Sequence, residues 1–273
     1  MGLLIIDEKK CKKDGFCASE CFAAVITFSE NSIPTIPPAE EARCMGCGHC
    51  VAICPHDALR NERIPEAGSP AIQSSLVINA AKAEQFLRSR RSVRRYDAKP
   101  VEKEKIQRLI DVARYAPTAG NTQMVEWIVH SDRDRLRQIG SLTVEWMREL
   151  MKNPQVVAAA PYLPVAVAAW DEGKDSILRG APTLVTAIAP SYARFGLVDL
   201  TLALSYLDVF AQTLGLGTCW AGLVAGAMGG SAAVREAVGV PENYTQYCSI
   251  MLGYPAVRYH RQPERKTPKI TFY

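Results

Sequence analysis

Apolar and polar positions alternate with two different periods along the 273 residues. Over 79–89, Ala80, Ala83, Phe86 and Leu87 fall on one helical face, and over 102–115 Ile106, Leu109, Ile110 and Ala113 do the same. Further helices are predicted at about 133–151, 198–214 and 232–238. Short runs of apolar or β-branched residues predict strands at 3–6, 25–28, 124–130, 165–170, 182–189 and 247–252. Helices interleaved with strands, but without regular βαβ alternation, predict an α+β layered fold over 78–273. The stretch NERIPEAGSPAIQSS is rich in Pro, Gly, Ser and charge and predicts a linker over 61–77, which sets residues 1–60 apart as a small domain.

The most apolar segment, 197–217, is interrupted by Asp199, Asp208 and Gln212, so it predicts a fully buried helix in a core or at a subunit interface, not a membrane span. MGLLIIDEKK lacks the long apolar core and small-residue cleavage site of a secretory signal, and Ile6 stands where a myristoylation signal carries Ser or Thr. These features predict a cytoplasmic protein with no membrane partner. The formal charge of +4 treats cysteines as neutral. Cysteines ionised at bound groups would remove that excess, so no nucleic-acid partner is expected.

Nine cysteines are present, seven of them within the first 54 residues. CMGCGHCVAICP places Cys44, Cys47, Cys50, Cys54 and Pro55 in the run that binds iron–sulfur clusters in bacterial ferredoxins. CKKDGFCASEC repeats the register with Cys11, Cys17 and Cys21, but Asp14 fills the second ligand position and Phe22 stands where the proline belongs. In two-cluster ferredoxins the fourth cysteine of each run binds the other cluster, which groups Cys21 with Cys44, Cys47 and Cys50, and Cys54 with Cys11, Asp14 and Cys17. A carboxylate is a harder ligand than a thiolate, so an iron held by Asp14 would exchange readily or be lost to leave a 3Fe-4S cluster; a solvent-facing Asp14 is the alternative. His49 is a candidate donor to a cluster sulfur or a solvated loop residue. Cys219 and Cys248 are expected as packed core residues.

SRRSVRRYDAKPV clusters guanidinium groups around a hydroxyl at a helix end, a candidate phosphate site. Together with YAPTAGNTQ, GTCWAG and LGYPAVRYHRQPERK, in this order, it resembles the FMN-dependent nitroreductase family over roughly 78–273, while the amino-terminal module is similar to a bacterial two-cluster ferredoxin. The resemblance implies a nitroreductase-like mixed sheet flanked by helices and a homodimer. It also implies that Arg90, Arg91, Ser92 and Arg94 hold the FMN phosphate and pyrimidine edge. Asn121, near Thr118 and Gln123, would meet the isoalloxazine. Ala221 and Gly222 would pass close to the ring, and Arg265 with Lys266 would clamp the phosphate. Met124 departs from the proline that many members carry after the Asn-x-Gln segment.

No acid, base or nucleophile stands out as a dedicated catalytic residue, and none is needed where a cofactor carries the chemistry. The expected function is an oxidoreductase passing electrons between two iron–sulfur clusters, FMN and a small acceptor of nitroaromatic or quinone type. NAD(P)H or a redox protein are candidate donors. The competing expectation is an electron-transfer adaptor acting on a protein partner without small-molecule turnover.

Overall fold

The computed structural model describes residues 2–65 and 69–273; Met1 and residues 66–68, the latter within the linker predicted over 61–77, lie outside the described residues. The chain divides into two compact units, Met1–Val77 with Ala119–Thr122, and Ile78–Thr118 with Gln123–Tyr273.

In the smaller unit, strand β1 (Leu4–Ile6) pairs antiparallel with β2 (Leu59–Asn61), and two single-turn helices, α1 (Phe16–Ser19) and α2 (His49–Ala52), lie between them in sequence. Leu3, Val25, Ile26, Ile36 and Leu59 form its core together with Cys17 and Cys50. The halves repeat: adding 33 to each position carries Cys11, Cys17 and Cys21 onto Cys44, Cys50 and Cys54. The backbone obeys the same offset. Gly15 and Gly48, at φ 75 and 79, open the two helices; Lys13 and Gly46 share φ 58 and 60, and Ala24 and Asp57 share φ 50 and 47. The strand expected at 25–28 is instead a single bridge, Thr27 to Thr35, with N···O distances of 2.7 and 3.0 Å. Pro34 and Pro37 beside that bridge have no N–H to extend a ladder.

The larger unit holds helices α3 (Ala80–Ser89), α4 (Lys103–Ala113), α5 (Arg133–Met151), α6 (Pro154–Ala159), α7 (Tyr162–Asp171), α8 (Gly196–Ala211), α9 (Gly222–Gly230) and α10 (Ala232–Val238). Strands β3 (Glu126–His130), β4 (Thr183–Ala189), β5 (Gly217–Trp220) and β6 (Gln246–Gly253) form one sheet in the order β3-β4-β6-β5, with every ladder antiparallel. All seven residues of β4 are buried because helices cover both faces. Leu184 and Met251 pack with α5, α7, α9 and α10, while Val185, Ala187, Ile250 and Leu252 pack with α4 and α8. This is the expected α+β arrangement.

Two further expectations are corrected. The run at 165–170 is part of α7, not a strand: Leu163, Val167 and Trp170 fall on one helical face against the core, and Pro164 sits in the first turn, where its missing N–H costs no intrahelical bond. Helix α8 is buried on one side only; Leu197, Val198, Leu202 and Tyr206 are exposed on the other. It is also the one helix among the described residues long and apolar enough to cross a membrane, counted with the turn that follows it, yet its buried Asp199 and Asp208 belong to the protein core. The apolar face of α3 is partly covered, with Ala83 and Phe86 half-buried and Leu87 58% exposed.

Candidate functional site

The smaller unit contains two cavities, and they sort the cysteines as the ferredoxin pattern predicts. Cys21, Cys44, Cys47 and Cys50 line one. Cys11, Asp14, Cys17 and Cys54 line the other. The one-turn helices produce this exchange. A left-handed glycine starts each turn, so the cysteine inside the helix faces its own run's cavity and the cysteine just after it is carried to the neighbouring one. Among the described residues no three His, Cys, Asp or Glu side chains converge on a single ion. A cuboidal cluster instead spreads its ligands over separate corners, so four thiolates around a cavity fit that group and not a lone metal.

Backbone and side-chain donors reach the sulfurs. Gly46 N and Asn61 Nδ2 each donate to Cys44 Sγ at 3.5 Å, and Ala58 N donates to Cys54 Sγ at 3.5 Å. Burial pushes the Cys50 thiol up to about 11 and raises Cys17 as well, so metal must displace protons from both. Asp14 lines its cavity with both oxygens engaged: Oδ1 accepts from Phe16 N at 3.2 Å, and Oδ2 lies 3.3 Å from His56 Nε2. His56 has no counterpart in the first half, where Ala23 occupies the equivalent position, and sequence spacing gave no sign of it. His49 is exposed at the rim of the other cavity.

Asn121, in the Ala119–Thr122 segment that groups with this unit, donates its amide to Met45 O at 3.1 Å and Gly46 O at 3.2 Å. Its φ of 55 and that of Gly120, 62, make the segment a tight turn. Asn121 therefore braces the loop between Cys44 and Cys47.

In the larger unit the arginine-rich stretch closes the edge of the sheet. Val93 N donates to Thr218 O of β5 at 2.8 Å, and Tyr96 bridges to Pro255. The fit is close: a Cβ on Gly217 would meet Val93 Cγ2 at 2.4 Å. Ser92 O accepts from Tyr259 Oη at 3.2 Å. Arg90 Nη1 lies 3.5 Å from Asp208 Oδ2, whose carboxylate is buried on α8 and also accepts from Thr218 Oγ1 and, at 3.3 Å, from Trp220 Nε1. Asp208 ties Arg90 to β5, and sequence reasoning noticed it only as an interruption of an apolar helix.

Where β5 ends and α9 begins, a cavity opens that brings together Arg94, Ala221 and Gly222. Arg179, Trp146, Tyr162 and Trp220 also line it. A Cβ on Gly222 would meet nothing within 4 Å, so the backbone there is open to a planar group. Tyr96 Oη is the only buried side-chain oxygen or nitrogen among the described residues without a hydrogen-bond partner. Burial, and then the neighbouring Cys219, push its pKa far above the ordinary phenol range, so it is held as a donor. The guanidinium groups and open backbone that line this cavity suit an anionic, planar cofactor, whereas Tyr96 does not line it.

The other candidates are placed as follows. Thr118 Oγ1 accepts from Gln123 N at 3.1 Å, and Gln123 has φ 50. Arg91 is half-buried, while Arg265 and Lys266 lie in an exposed segment without regular structure and outside the cavity. Cys219 is buried and Cys248 half-buried, both unpaired, and burial raises the Cys248 thiol.

Comparison with known proteins gives two family matches, the Nitroreductase family over residues 87–254 and a 4Fe-4S binding domain over residues 38–60. The FMN reductase (NAD(P)H) of Bacillus subtilis (strain 168) is 26% identical over 179 residues, covering 65% of this chain and 67% of that protein. The Cr(VI) reductase of Pseudomonas sp. (strain G-1) is 25% identical over 179 residues, covering 66% and 69%. A nitroreductase from Bacteroides fragilis NCTC 9343, solved with bound FMN, superposes with a TM-score of 0.54 at 20% identity, covering 70% of this chain and 98% of that one, a likeness of fold.

Proposed function

Since the chain belongs to the nitroreductase family, its match running over more than half the residues, we propose that it is an FMN-dependent oxidoreductase that passes electrons between two iron–sulfur clusters, FMN and a small electrophilic acceptor of nitroaromatic or quinone type. The observation that carries this reading is the sorting of the seven cysteines and Asp14 into two four-ligand cavities, Cys21 with one run and Cys54 with the other. Only the second run falls in the 4Fe-4S match, so the cluster at Cys11, Asp14, Cys17 and Cys54 rests on that geometry and on the 33-residue repeat of the backbone.

Bound at the cavity after β5, FMN would supply the exchange between single-electron transfer and the electron pairs that a nitro or quinone group takes up. The chain's part is to hold and bias it. Arg90, Arg91, Ser92 and Arg94 are assigned to the FMN phosphate and pyrimidine edge, where a cation favours the reduced, anionic ring. Ala221 and Gly222 present backbone to the ring. Thr118 and Gln123 are carried as flavin neighbours from the family pattern, and Arg265 and Lys266 as a phosphate clamp. Asn121 is carried as a flavin neighbour from the same pattern. NAD(P)H or a reduced redox protein would serve as donor. The exposed apolar side of α8, with Leu197, Val198, Leu202 and Tyr206, supports a homodimer in which a second copy covers it.

Anaerobic purification with iron, acid-labile sulfide and flavin analysis tests the assignment. About eight irons and about one FMN per chain are expected, or about seven irons where the Asp14 cluster is 3Fe-4S. Cys47→Ala should slow reduction of the flavin by reduced ferredoxin. An unchanged rate in that variant would assign the clusters to fold stability alone, and protein that binds neither iron nor flavin would end the reading.

A further inference from the structure

Arg179 lines the cavity after β5, yet the family pattern gives it no part in holding FMN. Its backbone lies at φ 59, in the left-handed region that a side chain with a Cβ enters only at a cost. A dedicated side chain keeps it there. Asp175 Oδ1 accepts from Ile177 N at 3.1 Å and Leu178 N at 2.8 Å, and its Oδ2 accepts from Gly180 N at 2.8 Å. Ile177 and Leu178, each 2% exposed, anchor the loop in the core. A glycine at 179 would make this turn without strain.

The Arg179 guanidinium has no carboxylate within ion-pair distance among the described residues. The walls beside it are aromatic and fixed. Trp146 packs on the glycines of α9, where a Cβ on Gly230 would meet its Nε1 at 2.3 Å and one on Gly226 its ring at 3.2 Å. Trp220 is tied through its Nε1 to Asp208. An exposed cation at the lining of a cavity with aromatic walls can recognise a flat ring that carries an anion, and a guanidinium fork matches a carboxylate with two parallel hydrogen bonds.

We propose that Arg179 is the anchor for a carboxylate on the acceptor, so that the acceptors this protein prefers are aromatic carboxylates bearing the reducible group. The inference rests on the FMN reading of the same cavity and adds the substrate class to it. Asp175 is then a positioning residue, acting through the loop.

The test compares wild type with Arg179→Gly and Arg179→Lys, all as FMN-loaded holoproteins. The ratio of kcat/KM for 4-nitrobenzoate to that for nitrobenzene is measured with one common reductant. Benzoate, which is not reduced, is titrated against the flavin absorbance to give a Kd. Arg179→Gly relieves the backbone and is expected to match or exceed the wild-type Tm while the ratio falls about 10- to 100-fold and the benzoate Kd rises in step. Arg179→Lys keeps the charge but not the fork, and should recover part of the loss. An Arg179→Gly protein with full FMN content, unchanged ratio and unchanged benzoate Kd overturns the inference and leaves the flavin reading standing. Protein that takes up no FMN overturns both.

Discussion

Replacing Asp208 by alanine removes one carboxylate and strands three donors. The Thr218 hydroxyl and the Trp220 indole N–H lose a buried acceptor, at about 1 kcal/mol each. The Arg90 pair counts for less because the guanidinium is 28% exposed and screened by water, so about 0.5–1 kcal/mol is expected from it. The total is about 3 kcal/mol for Asp208→Ala. Asp208→Asn keeps an oxygen for Thr218 but can turn its N–H₂ toward two donors, for about 2 kcal/mol. All four tryptophans, Trp127, Trp146, Trp170 and Trp220, belong to the larger unit, so intrinsic fluorescence during urea unfolding reports on that unit. With a slope of about 2 kcal/mol per molar urea, the alanine variant should unfold about 1.5 M earlier and the asparagine variant about 1 M earlier. The apoprotein is used so that flavin binding does not contribute to the midpoint. If both variants unfold within about 0.25 M of wild type, the carboxylate does not organise the β5 edge and the argument for it fails.

Two further outcomes follow from the geometry. Alanine at Gly15 meets the left-handed φ of 75 and a Phe28 ring atom 2.6 Å from the new Cβ, whereas at Gly48 the nearest atom, Ile64 Cδ1, is 3.4 Å away. Gly15→Ala should therefore lose cluster iron and visible absorbance at a lower temperature than Gly48→Ala, and the reverse order would refute the steric account. The Glu102 carboxyl is held down from its ordinary value of 4.5 to about 2 by the Tyr254 hydroxyl, its own backbone N–H and Lys99. A depressed carboxyl contributes its stability in full above the unfolded pKa and loses it as pH falls through the folded one. The Tm should drop between about pH 4.5 and 2, and Glu102→Gln should flatten that window in a melting series. An identical slope in the variant would assign the acid transition to other carboxylates.

Much of this molecule was legible along the chain because the signals are local. Ligand spacing and left-handed glycines act within one turn of backbone, so the cysteine runs could be read from register, while the exchange of Cys21 and Cys54 between cavities was expected from the likeness to two-cluster ferredoxins. Long amphipathic helices such as α4 and α5 announced themselves by periodicity. The tertiary structure decided what depends on neighbours distant in sequence. An apolar run such as 165–170 carries no period that separates strand from helix, and only the core face at Leu163, Val167 and Trp170 made it α7. Asp208 looks like a flaw in an apolar helix until Arg90, Thr218 and Trp220 meet it. Arg179 is an ordinary loop arginine in the sequence, because its left-handed backbone, its Asp175 support and its cavity exist only once the chain has folded. Spacing fixes which residues share a turn, whereas burial and electrostatics depend on the company that folding assembles around them.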